Sequence, residues 1–457
     1  MAKFYYLILL VFVLISCSSN NESELQDTIT NESNVTIIEP LSDTEMMDFT
    51  QKETFKYFWD FANADSGAAK ERYHPSTPTL NENVVTTGGT GFGLMAIIVG
   101  IERGFITRDE GVVRLNKILT FLENANRFHG AWPHWLDGST GNVLPFSTYD
   151  DGGDLVETAF LAQGLICISE YLKNGTDTEI TLANKADALW KGVEWNWYTQ
   201  NQDALYWHWS PNYGFEINLK LTGYNETLIT YILAAASPDY NISKTVYQNG
   251  WASNGSIVSS NSQYGFPLVL NHVGGSNFGG PLFFSHYSFL GLNPNNLTDE
   301  YGNYWNLVVN HTQINRQYCI SNPNNFKDYG ENCWGLTASY SRNSDGSIGY
   351  SAHSPTNDLG IISPTAAISS IAYTPSESLS VMHFLYQKKD ILLGVAGFYD
   401  AFSPIYNYWV ADAYLAIDQG PQIIMIENYR TGLIWSLFMQ NTDVQNGLQT
   451  LNFNYEI

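Results

Sequence analysis

Apolar runs of helical length recur along this chain from about Leu41 to Ile457, broken by loops rich in Gly, Asn and Pro. The run SDTEMMDFTQKETFKYFWDF opens on Ser42 with Glu45 three residues on, a capping-box signature, and Met46, Phe49, Phe55, Phe58 and Trp59 suggest one apolar face. Comparable signals recur in FGLMAIIVGIERG, RDEGVVRLNKILTFLENA, DLVETAFLAQGLICISEYL, ITLANKADALWKGVEWNWY, NETLITYILAAAS and TDEYGNYWNLVVNHTQINRQY, then in PTAAISSIAYTPSESLSVMHFLYQ and PQIIMIENYRTGLIWSLFMQ. Roughly twelve helices fit. Strand signals such as QYGFPLVLNHV and SIGYSAH are few and short. No linker divides the stretch, so residues 41–457 are expected to form a single all-α domain. The alternation of helix and long loop suits a toroid of helical hairpins. Without a residue-level repeat of fixed period, the pattern alone leaves other helical arrays open.

Charge narrows the partners. Lys and Arg total 21 against 45 Asp and Glu, a formal net charge of −24, so a phosphate backbone or an anionic membrane surface would repel the chain. Nucleic acid is not an expected partner. The 13 Trp, 29 Tyr and 24 Phe suit both a large core and a surface that stacks on sugar rings. At the N-terminus, Lys3 precedes FYYLILLVFVLI, too short to span a bilayer and fitting the apolar region of a secretory signal. Leu14-Ile15-Ser16-Cys17 resembles a bacterial lipobox, which makes Cys17 the expected lipidation site of a cell-envelope lipoprotein, periplasmic or on the outer-membrane surface. An ordinary cleaved signal is the alternative. Residues 1–17 are thus expected to be a signal peptide and 18–40 a solvated tether. Cys167, Cys319 and Cys333 are too few and scattered for a disulfide framework; Cys319 and Cys333 could pair, but free thiols are expected.

The densest chemical signal is YDDGGDLVET, which crowds Asp150, Asp151, Asp154 and Glu157 ahead of the apolar run AFLAQGLICI. Gly152-Gly153 should start a helix with Asp154 and Glu157 on one face of its first turns, and Asp151 could cap it. Acids are favoured at helix N-termini, yet four exceed what capping needs. On a continuous helix Asp150, Asp154 and Glu157 would share a face, a like-charge cost that a catalytic or sugar-binding cleft could justify. Two further acids open helices: Glu226 in LTGYNETLITYIL, and Asp418 in the turn before Pro421 of LAIDQGPQIIMIENYRTGL. If these helix ends converge, they could provide the protonated and the ionised carboxyl that glycoside hydrolysis requires.

Other motifs weigh less. Gly88-Gly89-Thr90-Gly91-Phe92-Gly93 resembles a phosphate loop but lies in no βαβ unit and lacks a following GK[ST], so it more plausibly passes close to a ligand or a neighbouring helix. The histidines show no metal spacing, and no metal or cofactor is expected. In RFHGAWPHW, Trp132, His134 and Trp135 suit a sugar platform or a packed loop. Ser285 stands in no GxSxG elbow, which speaks against a serine hydrolase and leaves His286 and Tyr287 as substrate-binding candidates.

Taken together, VTTGGTGFGLMAIIVGIERGFITR, RFHGAWPHWLDGSTG, YDDGGDLVETAFLAQGL, GYNETLITYILAAASP, YGFPLVLNHVGGSNFGGPLFFSHYSFLGL, WGLTAS, ISPTAAISSIAYTPSES and LAIDQGPQIIMIENYRTGL resemble the bacterial glucoamylase-like family that includes endo-β-1,2-glucanases. The blocks run in family order over nearly the whole chain beyond the tether. The resemblance implies an (α/α)6 barrel with long loops forming a cleft at one end, and an inverting β-1,2-glucan hydrolase without metal or organic cofactor. It places the family's acids on Asp150, Asp154, Glu157 and Glu226. The late acid falls on Asp418, with Asp412 and Asp400 as contenders. Glu226 is then the expected general acid and Asp418 the general base, with the early cluster holding sugar hydroxyls; Glu157 could exchange roles with Glu226. A monomer is expected, and a different glucan linkage or a non-catalytic glycan-binding lipoprotein are the alternatives.

Overall fold

The computed structural model describes residues 40–273 and 276–456, of which Pro40 onward form one compact unit. The signal segment, Cys17 and the tether up to residue 39 lie outside the described residues. Helices dominate the described chain: α1 (Asp43–Trp59), α2 (Thr87–Glu102), α3 (Arg108–Asn124), α4 (Leu155–Leu172), α5 (Asp177–Lys191), α6 (Leu228–Ala236) and α7 (Lys244–Val246). They continue with α8 (Tyr304–Ser321), α9 (Pro364–Ile368), α10 (Pro375–Gln387), α11 (Lys389–Leu392), α12 (Ala416–Thr431), α13 (Leu433–Met439) and α14 (Thr442–Thr450).

Two kinds of helix alternate. Helices α2, α4, α6, α9 and α12 are buried on nearly every side, as the continuous apolar sequences of α2, α4 and α6 require; α12 also buries Asp418, Gln419, Gln422, Glu427 and Asn428. Helices α1, α3, α5 and α10 bury one face and show the other to water. The buried set closes into a ring. Helix α2 packs on α4, α4 on α6, and α6 on the short helical turn Tyr287–Phe289; His286 bonds Ser370 just after α9, α9 packs on α12, and α12 returns to α2. This inner ring within an outer ring is the (α/α)6 barrel. Helix α4 has the length and composition of a membrane span, but 89% of it is buried in the barrel.

Local chemistry sets the ends. The capping box at Ser42 forms, with Glu45 accepting from the Ser42 amide at 2.8 Å; Thr107 with Glu110 and Thr176 with Glu179 start α3 and α5 in the same way. Pro375 starts α10, and Gly432 at φ 69° separates α12 from α13. The two sequence stretches read as strands become antiparallel hairpins, Val258–Gln263 with Phe266–Leu270 and Ala338–Arg342 with Ile348–Ala352.

Two helix starts differ from expectation. Helix α2 begins at Thr87, so the glycine-rich segment lies inside the helix. A Cβ on Gly91 would sit 2.3 Å from the Phe160 carbonyl, and one on Gly164 2.3 Å from the Gly91 carbonyl, so α2 and α4 cross backbone against backbone. Helix α12 begins at Ala416, ahead of Pro421, because Tyr414 and Leu415 pair with Tyr73 and Arg72 and fix the entry. Asp418 therefore lies in the first helical turn, and the proline interrupts the ladder one turn on. Cys167, Cys319 and Cys333 are free and buried.

Candidate active site

The ends of the inner helices at which the chain enters carry the acids. Asp154 is the N-cap of α4: its Oδ1 accepts from the amides of Val156 (3.0 Å) and Glu157 (2.9 Å). The helix thus starts at Leu155, later than the Gly-Gly pair suggested, and its cap is Asp154 and not Asp151, which the sequence had also allowed. Asp150 reaches the site from the turn Ser147–Asp150 and not along a helix face. Asp154 Oδ2 also accepts from His134 Nδ1 at 2.9 Å. His208 Nε2 lies between the carboxylates, 3.4 Å from Asp150 Oδ2 and 3.7 Å from Asp154 Oδ2.

These contacts divide the titrations. Asp154 is wholly buried, yet the His134 bond and the nearby histidines hold its carboxyl below the ordinary range. Burial followed by the Asp154 charge pushes Asp150 up to about 7. Burial works against a charged His134, but the charges of Glu157, Asp154 and Asp150 win and raise it to about 9. Burial lowers His208, which is neutral at pH 7. The His134, Asp150 and Asp154 ligand atoms lie within 4.8 Å of one another. An ion with ligands at about 2.0–2.2 Å would need them somewhat closer.

Glu157 is held by the end of α2, accepting from the Gly88 amide at 2.7 Å and from Thr86 Oγ1 at 3.3 Å. A Cβ on Gly88 would come within 2.6 Å of that carboxylate, and one on Gly89 within 2.4 Å of the Ala416 Cβ. The glycine pair thus brings α4, α2 and α12 together at the site. Glu226 precedes α6, where Ser288 Oγ fixes its carbonyl, and its Oε2 is buried with no hydrogen-bond partner. Burial first, then the charges of Glu157 and Asp154, push it up to about 7. Tyr287 packs on Phe92 and Phe160, and burial followed by the charges of Asp418, Tyr350, Glu226 and Glu157 holds its phenol well above the ordinary range.

Asp418 is 1% exposed and Asp400 2% exposed; burial and then the charge of Asp400 hold the Asp418 carboxyl well above the usual range. Asp400 Oδ2 accepts the Tyr340 amide at 2.8 Å. Asp412 is exposed and accepts from the Ser76 amide at 3.0 Å, which assigns it to a loop.

Two expected sugar contacts are corrected. Trp132 is fully buried, its Nε1 donates to the Leu122 carbonyl and Arg127 stacks 4.0 Å from its ring, so it packs the core. His286 is 2% exposed and bonds Ser370 Oγ at 2.9 Å inside the ring. His134 and Trp135 do border the site, under an exposed Phe146 with ring centroids 4.2 and 4.8 Å away. Sequence reasoning missed His208, although its setting LYWHWSP has the same aromatic and histidine density as RFHGAWPHW.

An (α/α)6 barrel with buried carboxyls gathered at one end of its inner helices is the frame of a carbohydrate-active protein. Residues 218–442 match the Glycoamylase family model, a glucoamylase by description. The crystallised endo-β-1,2-glucanase of Chitinophaga pinensis, in complex with sophorotriose and glucose, is 53% identical with a TM-score of 0.88, over 91% of this chain and 99% of that one. The β-1,2-glucanase of Parabacteroides distasonis is 43% identical with a TM-score of 0.84, over 90% of this chain and 60% of that one. The exo-β-1,2-glucooligosaccharide sophorohydrolase (non-reducing end) of the same organism is 43% identical over 435 residues, 90% of this chain. This chain spans 58% of that relative's length. The chain belongs to the glucoamylase-like family that includes these β-1,2-glucanases.

Proposed function

We propose that this chain hydrolyses β-1,2-glucan with inversion, releasing sophorose or short β-1,2-glucooligosaccharides. The observation that carries the reading is that Glu226 Oε2 and Asp418 Oδ2, beside the starts of two inner helices, are buried without hydrogen-bond partners, as oxygens of Asp150, Asp151 and Asp400 also are. Hydrolysis needs one carboxyl that gives a proton and one that takes it. Glu226, raised to about 7 by burial, holds a proton near neutrality and donates it to the glycosidic oxygen as the bond breaks. Asp418 takes the proton of the water that attacks the anomeric carbon from the opposite face. Asp150, Asp154, His134 and Glu157 hold sugar hydroxyls, and Trp135 with Phe146 covers a sugar face. The protein acts as a monomer, anchored through Cys17 in the cell envelope.

Incubation with linear β-1,2-glucan tests the substrate. A ladder of oligomers marks internal cutting and disaccharide alone marks exo action, while turnover of a different glucan only would overturn the linkage. Proton NMR of the first product should show the α-anomer. Glu226→Gln should lower kcat by on the order of 10²-fold or more with little change in sugar affinity.

A further inference from the structure

One aromatic pair at the rim of the site takes no part in the core. Gly153 and Asp154 pair antiparallel with Trp209 and His208, and from this pairing the two segments run outward together. A Cβ on Gly152 would lie 2.2 Å from the Trp209 carbonyl, Asn212 Nδ2 donates to Asp151 Oδ2 at 2.6 Å, and the rings of Tyr149 and Tyr213 meet edge to face with centroids 5.0 Å apart. The inner end of this ladder is the buried acid floor of Asp154 and Asp150, and its outer end is open, with Tyr149 45% and Tyr213 48% exposed. Five residues of extended chain reach at most about 18 Å, which bounds the distance from Asp154 to Tyr149. Both tyrosines stand on braced turns. The Asp150 amide bonds the Ser147 carbonyl at 3.2 Å and the Phe146 amide bonds the Asp150 carbonyl at 2.9 Å. Ser210 Oγ accepts from the Tyr213 amide at 2.9 Å, and Ser210 and Gly214 exchange two backbone bonds of 2.8 Å.

We propose that Tyr149 and Tyr213 form a distal sugar subsite, which holds a glucosyl unit of the bound β-1,2-glucan beyond the units gripped by Asp150, Asp154 and His134. The inference takes its ligand from the hydrolase reading given above. A pyranose ring offers a C–H face to an aromatic ring and hydroxyls to polar groups beside it, and here two tyrosines stand next to Asp151 and Asn212. Two rings make too small a patch for a stable protein partner, which covers about 800 Å² on each side. The net charge of −24 repels an anionic polymer. Continuity with the acids selects the substrate chain itself. Tyr149 lies in the turn that carries Asp150, and Tyr213 follows the segment that carries His208, so a glucan lying across the acids leads on to the pair. Stacking there adds affinity without touching the reacting atoms, and it acts only on chains long enough to reach it.

The double variant Tyr149→Ala, Tyr213→Ala tests this through chain length. The ratio of kcat/KM on long β-1,2-glucan to that on the shortest oligosaccharide the enzyme cuts should fall about tenfold, carried by KM on the long chain. An unchanged ratio would overturn the subsite, and so would an equal loss on both lengths, which a merely structural role would give. Tyr149→Phe with Tyr213→Phe keeps both rings and should keep most of the preference; a loss as large as that of the alanine pair would overturn stacking as its source. Calorimetric titration of Glu226→Gln with long β-1,2-glucan reads the subsite apart from catalysis. Adding the two alanines to that variant should raise Kd about tenfold, and an unmoved Kd would overturn the proposal. Wild-type enzyme that cuts no β-1,2-glucan, beside a Kd that still rises, would overturn the hydrolase reading and leave the subsite standing.

Discussion

Glu226 is fixed by what surrounds its carboxyl more than by its position in the chain. Burial and the charges of Glu157 and Asp154 hold it near 7, so the alkaline limb of kcat/KM should fall there, where the general acid loses its proton. Glu157→Gln removes one of those charges. The alkaline limb should then move to lower pH by about half a unit, and a limb that stays put would assign the acid elsewhere. His134 offers a stability test at the same scale. Its folded-state value of about 9 lies above the ordinary 6.5, so its charge beside Glu157, Asp154 and Asp150 contributes stability that is complete below about 6.5 and fades as pH rises through 9. Denaturant titrations should show wild-type stability falling across that window and His134→Gln losing much of the slope. At this scale the sequence was informative about acids and poor about aromatics. Carboxyls at helix starts were visible, but the burial of Trp132 and His286 depends on which neighbouring segments cover them.

Helix starts and crossings decide whether those residues meet. Helix α4 begins one residue after Asp154, and its second and third turns cross α2 where Gly91 and Gly164 let the backbones touch. Gly164→Ala would place a methyl 2.3 Å from the Gly91 carbonyl with no flexible atom to yield. Overpacking of this kind costs about 1–3 kcal/mol. Because α2 and α4 carry Gly88 and Glu157, the variant should lose thermal stability and activity together, measured by calorimetry and by glucan turnover. The glycine-rich segment was legible as a close approach, while its helical state was not, since glycine propensity argues against a helix that only tertiary packing justifies. The late start expected for α12 failed for a related reason: Pro421 marks a helix start in isolation, but the pairing of Arg72 and Tyr73 with Leu415 and Tyr414 begins the helix sooner.

For the described molecule as a whole, cohesion comes from a large apolar ring and not from covalent links. With Cys167, Cys319 and Cys333 free and buried, dithiothreitol should leave Tm unchanged, and a fall would reveal a bond between Cys319 and Cys333. The net charge of −24 is not focused on a neutral sugar, so kcat/KM on glucan should vary little with ionic strength. What the sequence determined by itself was the all-helical class, the cap at Ser42, and the placement of Asp154, Glu157, Glu226 and Asp418 at or near helix starts. Those signals act within one or two turns and need no partner. Only the tertiary structure decided that the starts of α2, α4, α6 and α12 converge, that His208 stands between Asp150 and Asp154, and that burial and the charge of Asp400 raise Asp418. Desolvation and Coulomb interaction act through space, and the chain distance between two residues says nothing of either.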